Sequence, residues 1–440
     1  MELFVSRPLL FVGDIHLGRS PHRLAAAGLD PRRLDPAEAW RRVLRYALDH
    51  DVQAVVLAGD VVDQDKDRFE AFGHLHAGVA RLVAAGIAVV GVAGNHDSIA
   101  LPRLASRIAA FQLLGAGGRW QRVELDGVDL IGWSFPARHH QRDPLHEPGL
   151  AEALASRRDA ALCLGVLHTD LDGGNSPYAP TGRLALDAQP LAGWFLGHIH
   201  QPDDLAVGRP IGYLGSLVGL DRGETGPRGP WLITPTSATQ LTAEQLPLGP
   251  VHWTSMMVDV SRLDLAAAGH DVLHDALMAR VSAEAETDAW LIAGDFAAVG
   301  CTITFTGRTD QPSVLARFIT EREATELVFP VADIPWVVVS MQVATQPALD
   351  LDALAAEPTP LGQVARLVLA LNTDGAAAMP QLVQAELASF DPSPWSTDMQ
   401  RAPLPDPVLT TRVAAMALLE QLLRQRAAQT DVSVDLSGGR

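Results

Sequence analysis

Ile87-Ala88-Val89-Val90-Gly91-Val92-Ala93-Gly94-Asn95-His96-Asp97 is a short apolar, β-branched run that breaks into an amide, an imidazole and a carboxylate. The run reads as a buried strand. The turn after it presents three side chains able to bind metal or move protons, fixed to the end of a rigid element. Four more apolar runs end in the same way. Asp14-Ile15-His16 follows Leu9-Leu10-Phe11-Val12, and Gly59-Asp60 with Asp63 follows the run 54–58. His168 closes the run 161–167, and Gly197-His198-Ile199-His200 follows Trp194-Phe195-Leu196.

Between these runs lie helix-like stretches. Residues 36–50 follow Asp35 as N-cap and begin with proline. Residues 69–85 stop at Gly86, and a further helix is expected near 101–112. Another strand is expected over 128–133. The alternation predicts an α/β layered domain in which ligands bind beyond the carboxyl ends of the strands, so all five motifs converge on one rim. In Asp-x-His and His-x-His the donors are two apart, so in extended chain they share a side. The glycines before Asp14, Asp60, Asn95 and His198 allow sharp turns against a crowded centre.

The donor set mixes Asp, Asn and His without thiolate. Oxygen and imidazole suit manganese, iron or zinc better than a soft metal or calcium. There are donors enough for two ions sharing one carboxylate, the arrangement that clamps the attacking and leaving oxygens in phosphoryl displacement.

The motifs Asp14-x-His16, Gly59-Asp60-x-x-Asp63, Gly94-Asn95-His96-Asp97, His168 and Gly197-His198-x-His200 resemble the five-motif pattern of calcineurin-like metallophosphoesterases over about residues 8–235. The resemblance implies a four-layer αββα sandwich and a two-metal site, most often manganese. Carried over by position, Asp14, His16, Asp60 and His200 would hold one ion. Asp60, Asn95, His168 and His198 would hold the other, with Asp60 bridging. His96 would protonate the leaving alkoxide, Asp63 would orient His96, and a hydroxide between the metals would attack in line with no covalent enzyme intermediate. Asp97 is expected to cap the turn or the next helix.

Asp14-Ile15-His16-Leu17-Gly18-Arg19 resembles the opening of SbcD-type DNA-repair nucleases. So do Tyr213-Leu214-Gly215-Ser216 and the Gly223-Glu224 loop running to Arg228-Gly229. His168-Thr169-Asp170 through Tyr178-Ala179-Pro180 is similar to the YhaO-like exonucleases. That branch implies DNA as substrate and an SbcC-type coiled-coil ATPase as partner. It also implies a homodimer through phosphoesterase-domain helices. Loop residues Arg19, Arg138, His139, His140, Arg183, Arg222 and Arg228 are candidate phosphate contacts, each also readable as a solvated surface group.

The rest of the chain bounds these readings. At 440 residues, more than one core is expected. The organisation expected is a phosphoesterase domain over 1–250, an α+β capping domain over 251–346 and a helical region over 357–430 that could dock an ATPase. Pro-rich linkers are expected at 235–250 and 346–360, a strand at 290–293, and helices at 361–372, 380–389 and 407–428. Val408, Val413, Met416, Leu419, Leu422 and Leu423 give the last helix an apolar face. The formal net charge of −18 argues against a broad nucleic-acid-binding surface and leaves room for a local basic patch. Lys66 is the single lysine, a usage that reflects composition rather than function. Cys163 and Cys301 sit in apolar runs and are expected as buried thiols. No run is long and apolar enough for a bilayer, and the first residues lack a signal layout, so a cytoplasmic location is expected. Two other functions compete with a nuclease: hydrolysis of a small-molecule or protein phosphoester, and a non-catalytic scaffold for an ATPase.

Overall fold

The computed structural model describes residues 7–19, 22–321, 327–347, 349–373 and 407–434. Its strands begin with β1 (Leu9–Val12), β2 (Ala54–Ala58), β3 (Ala88–Val92), β4 (Phe111–Leu113), β5 (Gln121–Leu125) and β6 (Val128–Trp133). They continue with β7 (Leu162–His168), β8 (Gly193–Gly197), β9 (Ile211–Tyr213), β10 (Trp231–Pro235), β11 (Leu241–Gln245), β12 (Val251–Asp259) and β13 (Ala298–Thr306). A six-stranded sheet runs β11-β10-β1-β2-β3-β4 and a five-stranded sheet runs β5-β6-β7-β8-β9. The chain therefore folds as an α/β sandwich.

The unbroken apolar runs follow from burial on both faces. Along β1 to β3, Leu10, Val12, Val55, Leu57 and Val89 pack outward with Trp40, Val43 and Leu44 of helix Pro36–Asp49 and with Leu75, Val79 and Leu82 of helix Arg68–Ala84. The alternate residues Leu9, Phe11, Val56, Val90 and Val92 pack inward on Leu130, Leu164, Val166 and Phe195 of the second sheet. Phe11 and Phe195 stack at 4.3 Å between ring centroids. The outer face of the second sheet buries Ile131, Trp133, Leu167 and Trp194 against Ala153 and Leu186 of two short helices. These are the four layers αββα. Parallel registers bring the strand ends level: Ala58 lies opposite Val92 and His168 opposite Gly197.

Local capping explains where elements begin. Asp35 accepts the Glu38 N–H at 2.7 Å, with Pro36 in the first turn. Some expectations fail for local reasons. The helix near 101–112 stops at Ala105, and Ala110, at φ 64°, redirects the chain into β4. The stretch 235–250 contains β11, paired antiparallel with β10, so it is a hairpin rather than a linker. Its polar outward residues Thr242 and Glu244 hide the strand pattern. Residues 290–293 are helical, not extended, because Asp288 caps the N–H groups of Trp290 and Leu291 at 2.8 and 3.2 Å. The expected linker 346–360 contains helix Leu351–Ala355, capped by Asp350.

Residues 1–345 pack as one compact unit and 346–440 as another. Within the first, β12, β13 and the strands Ile334–Val343 and Val328–Val331 form a four-stranded sheet. This sheet buries its own cluster, including Leu273, Leu277, Phe305 and Phe318, under helices Leu265–Thr287 and Pro312–Glu321. In the second unit, helices Leu351–Ala355, Pro360–Thr373 and Pro407–Val434 bury Leu354, Leu361, Ala365 and Leu419. The helix expected at 380–389 lies outside the described residues. Cys163 and Cys301 are buried free thiols. Among the described residues, no helix is long and apolar enough to cross a membrane.

Candidate metal centre

The turns after β1, β2, β3, β7 and β8 meet at one rim. Asp14, His16, Asp60, Asn95 and His168 are all buried there, and His198 and His200 lie beside them. Three donor groups converge to within 4.8 Å: Asp14, His16 and His200; Asp14, Asp60 and His168; and His16, Asp63 and His96. Three of these residues have left-handed backbone, His16 at φ 55°, Asp60 at φ 47° and His198 at φ 106°. Glycine is required between them: a Cβ on Gly94 would lie 2.2 Å from Asp60 Oδ1.

The hydrogen bonds fix which ring atoms face the centre. His16 gives its Nδ1–H to Asp63 Oδ1 at 3.0 Å, and His200 gives its Nδ1–H to Glu224 Oε1 at 2.8 Å. Both Nε2 lone pairs then point at each other, 3.0 Å apart. His168 gives its Nδ1–H to the Ala58 carbonyl at 3.0 Å, and its Nε2 faces Asn95 Oδ1 at 3.0 Å and Asp60 Oδ2 at 3.4 Å. His198 Nδ1 is 3.1 Å from the same Asn95 oxygen. Acceptors facing acceptors repel unless a proton or a metal ion sits between them. An octahedral ion about 2.1 Å from each donor spans adjacent donors by about 3.0 Å, so the residues fit divalent metal.

The electrostatics agree. Burial, the largest single influence, would lower the pKa of His168, but the charge and hydrogen bond of Asp60, joined by Asp14 and the Ala58 carbonyl, together outweigh it and hold it at about 9. Burial and then the charge of His168 push His198 down to about 4. Although burial opposes it, the histidines hold Asp60 well below the usual carboxylate range. The pocket demands positive charge and cannot place a proton on every imidazole, which is the condition a metal relieves.

Asp63 does not act as its spacing suggests. Its carboxylate is turned to His16, while its backbone carbonyl accepts the Nδ1–H of His96 at 2.8 Å. His96 also donates its backbone N–H to Asp60 Oδ1 at 2.9 Å. Asp97 is fully buried, and its carboxylate serves the turns while only its backbone carbonyl meets the next helix, at the Leu101 N–H. It accepts the N–H groups of Gly94 (2.8 Å), Val61 (2.7 Å) and Val62 (3.3 Å), stitching the turns after β2 and β3 together. Burial, reinforced by Asp60, pushes its pKa up to about 7.

The candidate phosphate contacts divide. Arg19 lies close enough for its charge to act on both Asp63 and Glu224. Arg138 and His139 are exposed on the loop after β6, and Arg222 is half-buried on the loop after β9. The His139 ring meets Tyr178 at 5.7 Å, and Tyr178 meets His198 at 5.0 Å, so that loop reaches the centre. Arg183 instead gives its guanidinium to the Ile211 carbonyl, opposite Trp194 and back from the rim. His140 pairs with Glu147 at 3.3 Å, and Arg228 is 3% exposed, so neither is a surface phosphate contact. The role of Glu224 on His200 was not legible in the sequence. The loop's Gly-Glu pair was its only signal.

Residues 7–202 match the family model for calcineurin-like phosphoesterases. Curated relatives include a Bacillus subtilis protein named uncharacterized metallophosphoesterase YhaO, 26% identical over 255 residues, or 53% of this chain and 58% of that protein. The DNA double-strand break repair protein Mre11 of Haloferax volcanii is 34% identical over 140 residues, 31% of this chain and 30% of that protein. The Mre11 of Methanosarcina mazei is 25% identical over 229 residues, 51% of this chain and 36% of that protein. The chain therefore spans little more than half of the first relative and about a third of the other two. Two solved structures are similar at low scores. The protein TT1561 of Thermus thermophilus has TM-score 0.34 and 13% identity, covering 55% of this chain and 99% of that one. Purple acid phosphatase PPD1 of yellow lupin has TM-score 0.39 and 11% identity, covering 56% and 52%. At these scores the architecture rests on the sheets described above.

Proposed function

Residues 7–202 being a calcineurin-like phosphoesterase domain, we propose that the chain is a manganese-dependent DNA nuclease that hydrolyses phosphodiesters in double-strand-break repair. It works in the cytoplasm as a homodimer with an SbcC-type coiled-coil ATPase. The observation that carries the reading is the convergence of imidazole, carboxylate and amide donors from five turns in one buried pocket, with His16 Nε2 and His200 Nε2 3.0 Å apart and His168 Nε2 3.0 Å from Asn95 Oδ1. Asp14, His16, Asp60 and His200 would hold one ion, and Asp60, Asn95, His168 and His198 the other. Iron or zinc would satisfy the same donors. When bound, such a pair supplies Lewis acidity and lowers the pKa of water to a nucleophilic range.

The chain's own groups do the rest. His96, its Nδ1–H fixed on the Asp63 carbonyl, offers Nε2 to the leaving alkoxide as proton donor. Arg19, Arg138 and Arg222 lie on the loops after β1, β6 and β9 and would hold flanking phosphates. The relatives named as DNA double-strand break repair proteins support DNA over a small phosphoester. Against it stands the formal net charge of −18. The test is digestion of end-labelled duplex DNA with manganese or with chelator, beside hydrolysis of bis-p-nitrophenyl phosphate. Manganese-dependent shortening of DNA is expected. Cleavage of the small ester without any cleavage of DNA would overturn the nuclease reading.

A further inference from the structure

The loop of residues 219–228 carries two side chains that the proposed reaction leaves without a role. Glu224 takes the Nδ1–H of His200 with one oxygen and the Leu220 N–H, at 2.9 Å, with the other. Arg228 is 3% exposed, yet it makes no ion pair among the described residues. Its Nη1 donates to the Pro227 carbonyl and its Nη2 to Gln201 Oε1, each at 2.9 Å, and its Nε has no partner. A buried guanidinium without a carboxylate is costly unless its position serves something. Here it grips the residue that follows His200, and it feels the charge of Glu224.

The other side of the same loop is fastened to β12. Trp253, 1% exposed, donates its Nε1–H to the Gly219 carbonyl at 2.8 Å, and Gly226 donates its N–H to the Trp253 carbonyl at 3.1 Å. A Cβ on Gly219 would lie 2.6 Å from the Trp253 ring, so the seat has no slack. The loop is thus tied to β12 at one side and to the His200–Gln201 corner at the other. Among the described residues, no hydrogen bond joins it to Asn95, His168 or His198.

We propose that Glu224 and Arg228 are positioning residues that couple the seat of β12 to one half of the metal centre. On this inference the unit built on β12 governs occupancy of the His16–His200 site and leaves the Asn95–His168–His198 site alone. It rests on the two-ion assignment of the proposed function. The mechanism is geometric. Glu224 keeps the proton of His200 on Nδ1, so Nε2 is presented as a ligand, and Arg228, through Gln201, fixes the backbone that carries it. A shift of Trp253 would move Gly219 and Gly226 and swing both groups.

The experiment is manganese calorimetry on the full chain and on Gln201→Ala, Glu224→Ala, Arg228→Met and Trp253→Phe. Gln201 is exposed, so its truncation spares the core. Trp253→Phe keeps an aromatic ring in the seat and removes the N–H together with the five-membered ring of the indole. The unsubstituted chain is expected to bind two ions. Each variant is expected to keep one site intact and to weaken the other by about 10–100-fold. Anomalous scattering at the manganese edge should place the loss between His16 and His200. Trp253→Phe combined with Glu224→Ala should weaken that site by less than the product of the single effects. Equal weakening of both sites, loss at the Asn95–His168–His198 site, or two unchanged sites in every variant would overturn the inference alone. An unsubstituted chain that binds no manganese would overturn the proposed function with it.

Discussion

Asp63→Ala separates two accounts of the centre. Spacing in the sequence assigns the Asp63 carboxylate to His96, the proposed acid. The structure assigns it to His16, a proposed ligand, at 3.0 Å, with a side chain only 14% exposed, and leaves the Asp63 backbone carbonyl on His96. Alanine removes the first bond and keeps the second. A partly buried bond between a carboxylate and imidazole contributes about 1.5–3 kcal/mol, and loss of such an outer partner typically weakens metal binding about 10–100-fold. The two figures agree, since tenfold is about 1.4 kcal/mol. Expected, then, is manganese affinity reduced about 10–100-fold at one site by calorimetry, with kcat on bis-p-nitrophenyl phosphate largely restored at saturating manganese. Asp63→Asn, whose amide oxygen can still accept the His16 Nδ1–H, should lie between. Unchanged manganese affinity with a collapsed kcat at saturating metal would refute the structural assignment and restore the one read from spacing.

Other substitutions and conditions test neighbouring links. His96→Asn removes the proposed acid but keeps the backbone N–H that holds Asp60. Turnover should fall about 10²–10⁴-fold while elemental analysis shows unchanged metal, and full activity would sink the acid role. Asp97→Asn turns one acceptor of backbone N–H groups into a donor facing them. Chemical denaturation should show a loss of about 1–3 kcal/mol, and an unchanged midpoint would deny that the turns after β2 and β3 are stitched there. The pKa of His168 is raised to about 9 in the metal-free fold, so its contribution is complete below the unfolded value of about 6.5 and is lost as pH rises through 9. The melting temperature of chelated protein should therefore fall between about pH 6.5 and 9, and metal loading near pH 8 should release protons. A flat profile with no proton release would contradict that shift.

The sandwich was legible because its central strands are buried on both faces, which leaves uninterrupted apolar runs such as Ala54–Ala58 and Leu162–His168. The edge strands were not. β5 shows only exposed or partly buried residues, and β11 alternates with polar ones, so neither stands out from loop. The donors were legible because each follows such a run. Their orienting partners were less so: Glu224 reaches His200 from 24 residues away, the Ala58 carbonyl orients His168 from 110 residues away, and a carbonyl leaves no mark in side-chain pattern. Spacing alone could not decide between the carboxylate and the carbonyl of Asp63, because both lie at the same position in the chain.

The distribution of backbone strain explains why the five turns must be read together. His16, Asp60 and His198 all have positive φ, at 55°, 47° and 106°, without the freedom of glycine. Each such residue costs of order 1–3 kcal/mol unless its surroundings hold it. Here the holding bonds run between the turns. Ile15 and His16 donate their N–H groups to the Asp60 carbonyl at 3.1 and 2.9 Å, and His198 donates to the Asp14 carboxylate at 3.0 Å. Leu17 and Val62 extend the lock as a parallel bridge. A donor in one turn is thus kept in place by the backbone of another, and no turn can relax alone. Substituting Asp14 removes the carboxylate that holds the strained His198, and substituting Asp60 removes the carboxylate that holds the His96 N–H, so losses at Asp14 and Asp60 should exceed those expected of single ligands.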